Sequence, residues 1–169
     1  MITKIKKQKV MTQKNKIVIF DLDGTLAIID KRRELAVARS TPGKRFHWGV
    51  FFDPKNIALD EPNQSVIDVF KALQSVGYTM VIFSGRDSIS EKETIEWLSS
   101  HGIFPDFMRM RPLKTYTPDN DLKQSWLDEL DIDGLTKDDV MMVFDDRDQV
   151  VKMWRENGLT VSQVNYGDF

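Results

Sequence analysis

The segment KIVIFDLDGTL, residues 16–26, decides the fold class of this chain. Its first half is a short apolar run rich in β-branched residues, which is typical of a buried strand. The turn signal Asp23-Gly24 ends the run, so Asp21 and Asp23 come directly after the strand. Because ligands of open α/β sheets bind beyond the carboxyl ends of the strands, we expect both carboxylates at a ligand site.

Strands and helices alternate along the rest of the chain, which predicts an α/β three-layer sandwich with a central parallel sheet. Further strands are predicted at residues 78–83, 107–110, 140–144 and 159–164, and helices at 63–76, 90–100, 117–130 and 148–157. The helix at 63–76 places Val66, Val69, Phe70, Leu73 and Val76 on one face, and Ser90 with Glu93 forms a candidate capping box.

Residues 27–62 interrupt this alternation. They show no sustained period and contain Pro42-Gly43, Pro54 and Pro62, which punctuate loops. Long irregular loops inside compact domains are usually functional. We therefore predict a small loop or cap insertion after the first strand, at about residues 27–62.

Length and composition restrict the class of protein. The chain has 169 residues, of which 41% are hydrophobic, so one domain at residues 16–169 is expected to bury its own core. It has no cysteine, which excludes thiol catalysis and suits a cytoplasmic location, and no apolar run approaches the ~20 residues of a membrane span. Residues 1–16 carry six lysines and no acid, so residues 1–15 are interpreted as a basic flexible leader, with a polyanion-binding arm as the alternative.

Polar groups also follow two other predicted strands. Ser84-Gly85-Arg86 comes after the second, Asp145-Asp146 comes after the fourth, and Asp119 with Lys123 begins a helix. Four carboxylates at one sheet edge require a cation, and hard oxygen ligands suit Mg²⁺. Together with basic anion donors they indicate phosphoryl transfer. Taken singly, an Asp-x-Asp is usually a turn, and Asp119 with Lys123 fits a solvated ion pair.

In order and placement these motifs resemble those of the haloacid dehalogenase (HAD) phosphohydrolase superfamily. More narrowly, DLDGTLA at 21–27, SGR at 84–86, DDR at 145–147 and MWR at 153–155 are similar to the 3′-phosphatase domains of T-even bacteriophage polynucleotide kinase–phosphatases. The resemblance runs from about residue 16 to 169. The Gly-x-x-x-x-Gly-Lys-Ser/Thr motif of a kinase is absent from the sequence, so a stand-alone phosphatase half is expected.

The resemblance implies a role for each matching residue. Asp21 would be the nucleophile and Asp23 the general acid and base, and Mg²⁺ would be held by Asp21, the main-chain carbonyl of Asp23 and an acid of the Asp145-Asp146 pair. The implied catalytic set is Asp21, Asp23, Lys123 and Asp146, and the implied metal ligands are Asp21, Asp23 and Asp145. The implied substrate-binding residues are Thr25, Arg32, Ser84, Gly85, Arg86 and Asp119.

Three functions are therefore compared. The first is a Mg²⁺-dependent phosphomonoesterase that removes 3′-phosphates from DNA or RNA ends through an aspartyl-phosphate. The second is a HAD phosphatase of mononucleotides or other small phosphate esters. The third is a receiver-like phosphoacceptor, which the acid pair after the fourth strand disfavours. The cluster KRFHW at 44–48 could stack a base and hold a backbone phosphate, or its aromatic residues could pack the loop onto the core.

Overall fold

A five-stranded parallel sheet organises the protein, whose computed structural model describes residues 16–41, 43 and 46–167. Its strands are β1 (Ile17–Phe20), β4 (Thr79–Asp87), β5 (Phe107–Arg111), β6 (Val140–Arg147) and β7 (Val161–Gly167), and β2 (Ala27–Ile28) pairs with β3 (Glu61–Pro62) in an antiparallel ribbon. The order across the sheet is β5-β4-β1-β6-β7. Both neighbours of β1 are parallel to it, so the carboxyl ends of β4, β1 and β6 lie side by side.

Helices cover both faces of the sheet, which confirms the three-layer α/β sandwich. They are α1 (Asp30–Ala38), α2 (Trp48–Phe51), α3 (Gln64–Ser75), α4 (Glu91–Ser100), α5 (Asp119–Asp128) and α6 (Asp148–Glu156), with short 3₁₀ turns at Pro54–Leu59, Ser88–Ser90 and Lys137–Asp139. Successive side chains of β1 point to opposite faces. Val18 and Phe20 pack in the core with α3 and α4, whereas Ile17 and Ile19 pack in the core with α5 and α6.

The sheet topology separates the protein from receiver-type modules. Counted along the chain within the sheet, the strand order is 3-2-1-4-5. Receiver-type sheets have the order 2-1-3-4-5. The receiver alternative therefore does not fit this fold.

Residues 27–62, hereafter the cap segment, are more regular than the sequence suggested. They contain α1, α2 and a 3₁₀ turn, and Ala36, Phe51 and Ile57 are part of the hydrophobic core. The nine-residue helix α1 has no apolar stripe because its two buried residues are Arg32 and Ala36. A buried arginine takes the place of an apolar residue, so a search for hydrophobic period misses this helix.

Other local predictions differ in detail. On α3 the buried side chains are Val66, Ile67 and Phe70, whereas Val69 is exposed, as is Val76 directly after the helix. The expected capping box at Ser90 is wrong, because the Ser90 hydroxyl donates to the carbonyl of Asp87. Strands β4 and β6 extend through Asp87 and Arg147, so the polar motifs lie on the strands themselves.

Two sequence-based expectations lie outside the described residues: the basic leader at 1–15 and the cations Lys44 and Arg45 of the KRFHW cluster. Of the helices within residues 16–41 and 46–167, none combines the length and apolar character needed to cross a bilayer.

Candidate active site

Lys123 lies at the centre of a buried cluster of carboxylates beyond the carboxyl end of β1. Asp21 follows β1 directly, and its N–H donates to the carbonyl of Phe144 on β6 at 2.8 Å. The Lys123 Nζ on α5 donates to Asp21 Oδ1 at 2.6 Å and to Asp145 Oδ2 at 2.9 Å. It also lies 3.8 Å from Asp119 Oδ2. The structure thus brings together residues from three elements that are far apart in sequence.

Three of the carboxylates can share one cation. Asp21, Asp145 and Asp146 each offer an oxygen atom, and these atoms lie within 4.8 Å of one another. Asp145 already accepts hydrogen bonds from the Trp154 indole and from the main-chain N–H of Arg147, at 3.1 and 3.2 Å. Asp146 accepts a longer hydrogen bond, at 3.5 Å, from the Thr25 hydroxyl. An all-oxygen donor set of this kind fits Mg²⁺.

The electrostatics of this cluster also fit a divalent cation. Burial, supported by the charges of Asp145, Asp146 and Asp119, raises the pKa of Asp21 well above its usual range against the opposing effect of Lys123. Burial and the Asp145 charge raise the pKa of Asp146 to about 7. Burial alone would lower the pKa of Lys123, but the surrounding carboxylates outweigh it and raise that pKa well above its usual range. Negative charge therefore exceeds what Lys123 compensates.

Gly24 permits the close approach of the first motif to Asp146. Its φ is +87°, and a Cβ atom at this position would lie 2.1 Å from Asp146 Oδ2. Both observations require a residue without a side chain. The turn after β1 therefore brings its main chain against the carboxylate of β6.

Asp23 belongs to a second network, which contains two fully buried arginines. Asp23 Oδ1 accepts from Arg32 Nη2 at 2.6 Å and from Arg86 Nε at 2.7 Å. Arg32 also donates from Nη1 to the carbonyl of Phe51 at 3.1 Å, and its guanidinium lies 4.3 Å from the Phe51 ring centre. Both guanidinium groups thus form salt bridges with Asp23, whereas the resemblance implied that these arginines bind substrate.

Asp60, which the sequence reasoning missed, completes this network. Its Oδ1 accepts from Arg32 Nε at 2.8 Å, its Oδ2 accepts from Arg86 Nη2 at 2.5 Å, and its carbonyl accepts from the Trp97 indole. Burial raises the pKa of Asp60 to about 6, although both arginines oppose this shift. Asp60 belongs to no sequence motif. The signal that could have indicated it is the pair of buried arginines, which need more than one counterion.

The same arginines set the state of Asp23. Burial works to raise the pKa of Asp23, but the charges and hydrogen bonds of Arg32 and Arg86 outweigh it and hold that pKa below its usual range. Without substrate, Asp23 is therefore a carboxylate at neutral pH.

Ser84, Gly85 and Asp119 lie on the β4 and α5 side of Lys123. The Ser84 hydroxyl accepts from the N–H of Arg86 at 3.2 Å, and the carbonyl of Gly85 accepts from Arg111 Nε at 3.0 Å. Arg111 also donates to Asp119 Oδ1 at 3.2 Å. A Cβ atom on Gly85 would lie 2.5 Å from that same oxygen, so this position also requires a close approach.

The fold and a family-model match together place this chain among the HAD-type phosphatase domains. A phosphoserine phosphatase, solved as an analogue of its phospho-aspartyl intermediate, is 15% identical with a TM-score of 0.55, and the match covers 92% of this chain and 87% of that one. At that identity it shows the fold alone. Residues 45–169 match the family model for the polynucleotide kinase PNKP phosphatase domain. The chain belongs to this family.

Proteins of higher sequence identity include a chain of an RNA repair complex. A chain in the Pnkp1/Rnl/Hen1 complex is 31% identical with a TM-score of 0.72 over 99% of this chain and 52% of that one, and one in the Pnkp1/Rnl/Hen1 RNA repair complex is 30% identical with a TM-score of 0.71 over 96% and 46%. A protein of Autographa californica nuclear polyhedrosis virus, named for a bifunctional polynucleotide kinase/RNA ligase, is 32% identical over 82% of this chain and 18% of its own length. This chain therefore spans about half of the structural relatives and about a fifth of the viral one.

Proposed function

We propose that the protein is a Mg²⁺-dependent phosphomonoesterase that removes 3′-phosphates from polynucleotide ends through an aspartyl-phosphate intermediate. The observation that carries the chemistry is Asp21, a buried carboxylate that lies against Lys123 and shares its oxygen cluster with Asp145 and Asp146. The family match and the repair complexes among the similar structures favour polynucleotide ends, DNA or RNA, as the substrate. A cytoplasmic location is part of the same proposal.

The carboxylates of Asp21, Asp145 and Asp146 would hold the Mg²⁺, together with the main-chain carbonyl of Asp23. Asp146 accepts a long hydrogen bond from Thr25, and its pKa is raised to about 7, so a bound cation would stabilise its charged form. When bound, Mg²⁺ would offset the repulsion between the nucleophile and the phosphate.

Asp21 would attack phosphorus with one carboxylate oxygen. A new O–P bond forms, the bond between phosphorus and the 3′-oxygen breaks, and the 3′-oxygen takes the proton of Asp23. A water molecule then attacks the aspartyl-phosphate and returns a proton to Asp23, which releases inorganic phosphate and restores Asp21. Asp23 must gain a proton before the first step, and a bound phosphate dianion beside it would raise its pKa in the required direction.

The remaining site residues would bind and position. Lys123 lies against the nucleophile, and Ser84 lies on the neighbouring strand β4. Both would donate to the transferring phosphoryl oxygens, with Thr25, Gly85 and Asp119 shaping the surrounding site. In the absence of substrate, Arg32 and Arg86 donate to the carboxylate of Asp23. We therefore propose that they orient Asp23 and set its pKa, and that their contact with phosphate follows substrate binding.

The test is a substrate panel measured with Mg²⁺ and with a chelator. It compares 3′-phosphorylated oligonucleotides, the same oligonucleotides with a 5′-phosphate, free 3′-mononucleotides and nitrophenyl phosphate. We expect phosphate release to require Mg²⁺ and to be most efficient on the 3′-phosphorylated oligonucleotide. Mononucleotides that outcompete oligonucleotides at low salt would replace this proposal with a phosphatase of small esters. A single turnover that stops at the phosphoprotein would identify a phosphoacceptor.

A further inference from the structure

We propose that Trp48 is a stacking platform for a nucleobase at the 3′ end of the substrate strand. The inference rests on the proposed function, since it assumes that a polynucleotide enters the site. The residues that bind phosphate and metal cannot distinguish an oligonucleotide from a small phosphate ester. The inference therefore assigns part of the substrate selection to one side chain of the cap segment.

The aromatic residues of the KRFHW cluster were expected either to stack a base or to pack the loop onto the core, and Phe46 and Trp48 differ in this respect. Phe46 is partly buried and packs against the hydrophobic core, so it serves the fold. Trp48 is 57% exposed, whereas the other three tryptophans are buried to 7% exposure or less. A large aromatic side chain held in the open on a segment beside the active site is not explained by core packing.

The position of Trp48 relative to Asp23 is fixed through two side chains. The rings of Trp48 and Phe51 are 6.0 Å apart, and Arg32 lies 4.3 Å from the Phe51 ring centre. Arg32 Nη2 in turn is 2.6 Å from Asp23. Trp48 is thus close enough to the proposed acid for the first nucleotides of a strand to span the distance while the terminal phosphate is at Asp21.

The packing of Trp48 suits a planar ligand. Its indole stacks on Phe52 with a ring separation of 5.7 Å and an angle of 18° between the planes, while Phe46 holds it edge-on at 4.7 Å. The indole is therefore held in one orientation before any ligand arrives. A nucleobase would extend this stack without a sequence-specific hydrogen bond, as in other proteins that bind single strands.

The experiment compares a 3′-phosphorylated oligonucleotide with a matched strand whose terminal nucleotides lack bases. Trp48→Ala should raise the KM for the normal strand by about 5- to 150-fold, the range that stacking of one base supports. Trp48→Phe should keep part of the effect, and hydrolysis of nitrophenyl phosphate should stay unchanged in both variants. Phe104→Ala is the control, because it removes a ring of 60% exposure from the loop before β5, at the amino ends of the strands, whereas the candidate site lies at their carboxyl ends.

The effects on KM of removing the bases and of removing the Trp48 ring should not be additive. If base and ring interact, Trp48→Ala on the abasic strand should lose little beyond either change alone. Binding gives a second readout, because Trp48 is the solvent-open tryptophan. Titration of the catalytically inactive Asp21→Asn variant with the 3′-phosphorylated oligonucleotide should quench its tryptophan fluorescence. The matched strand without terminal bases should quench it much less.

The outcomes separate this inference from the proposed function. If the wild-type enzyme prefers oligonucleotides but base removal and Trp48→Ala leave KM unchanged, the platform is wrong and the function stands. If the wild-type enzyme shows no preference for oligonucleotides, the proposed substrate is wrong and the platform fails with it. If Trp48→Ala changes only the sedimentation of the protein, Trp48 belongs to a protein interface and the inference is overturned.

Discussion

Replacement of Lys123 by methionine tests the central ion cluster, because methionine keeps the length of the side chain and removes its charge. Lys123 is 1% exposed and lies 2.6 Å from Asp21 and 2.9 Å from Asp145. Removal of one partner from a buried ion pair typically costs about 3–5 kcal/mol, because the remaining charges stay buried. Domains are stable by about 5–15 kcal/mol, so Lys123→Met should lose a large share of the free energy of unfolding as well as activity.

The loss should depend on pH in a defined direction. The pKa values of Asp21 and Asp146 are already raised in the folded protein, and removal of the opposing Lys123 charge would raise both further. A carboxyl group with a raised pKa stabilises the fold at low pH, and this contribution disappears as the pH rises through the folded-state pKa. The deficit of Lys123→Met should therefore be largest near about pH 8 and shrink toward about pH 5, as the carboxylates take up protons.

Urea unfolding in the presence of a chelator measures both effects. Lys152→Met is the control, since Lys152 is exposed and lies 3.7 Å from Glu156, and it should change stability by at most about 0.5 kcal/mol. Saturating Mg²⁺, at about 100 times its Kd, should add about 2.7 kcal/mol to a variant that still binds it. A Lys123→Met deficit below about 1 kcal/mol at pH 8, or one that grows toward pH 5, would refute the reasoning on buried charge.

Three further changes test the proposed chemistry. Asp21→Asn should abolish turnover and the phosphoprotein detected by acid quench, and normal multiple turnover would exclude Asp21 as nucleophile. Asp23→Asn should impair alkyl phosphate hydrolysis far more than nitrophenyl phosphate hydrolysis, because nitrophenolate leaves without a proton; equal losses would contradict that role. Gly24→Ala and Gly158→Ala should each lower the free energy of unfolding by about 1–2 kcal/mol, because both positions have a positive φ. Only Gly24→Ala should also raise the Mg²⁺ concentration for half-maximal rate, because a Cβ atom there would meet Asp146, whereas Gly158 has no neighbour within 4 Å. An unchanged Mg²⁺ requirement in Gly24→Ala would separate that contact from metal binding.

The centre of the parallel sheet could be predicted because β1, β4 and β6 begin as short apolar runs and end in turn or polar signals. The same pattern places each motif at the carboxyl end of a strand, although the motifs of β4 and β6 are part of the strands rather than of the loops that follow. The contact of Lys123 with Asp21 depends on a sheet order that places β1 between β4 and β6. The roles of these residues stay predictions until the substrate and variant experiments are done.

The cap segment could not be predicted in the same way because its helix α1 is held by charge. Arg32 is buried on Asp23 and Asp60, so the hydrophobic period that marks other helices is missing. Asp60 itself belongs to no recognisable motif, and its partner Arg86 is 26 residues away. Long-range ion pairs of this kind leave no periodic signal in a single sequence.

The link between Arg32, Asp60 and Arg86 restricts how this enzyme can be altered. Two of these residues belong to the cap segment and the third to β4, so the cap segment shares its buried ions with the sheet that carries the candidate site. A chimaera that receives residues 27–62 from a relative must import an arginine and an aspartate at the corresponding places. A donor segment without that aspartate would leave Asp23 as the remaining carboxylate paired with Arg86, and under the proposed mechanism the exchange would then alter proton transfer together with substrate choice.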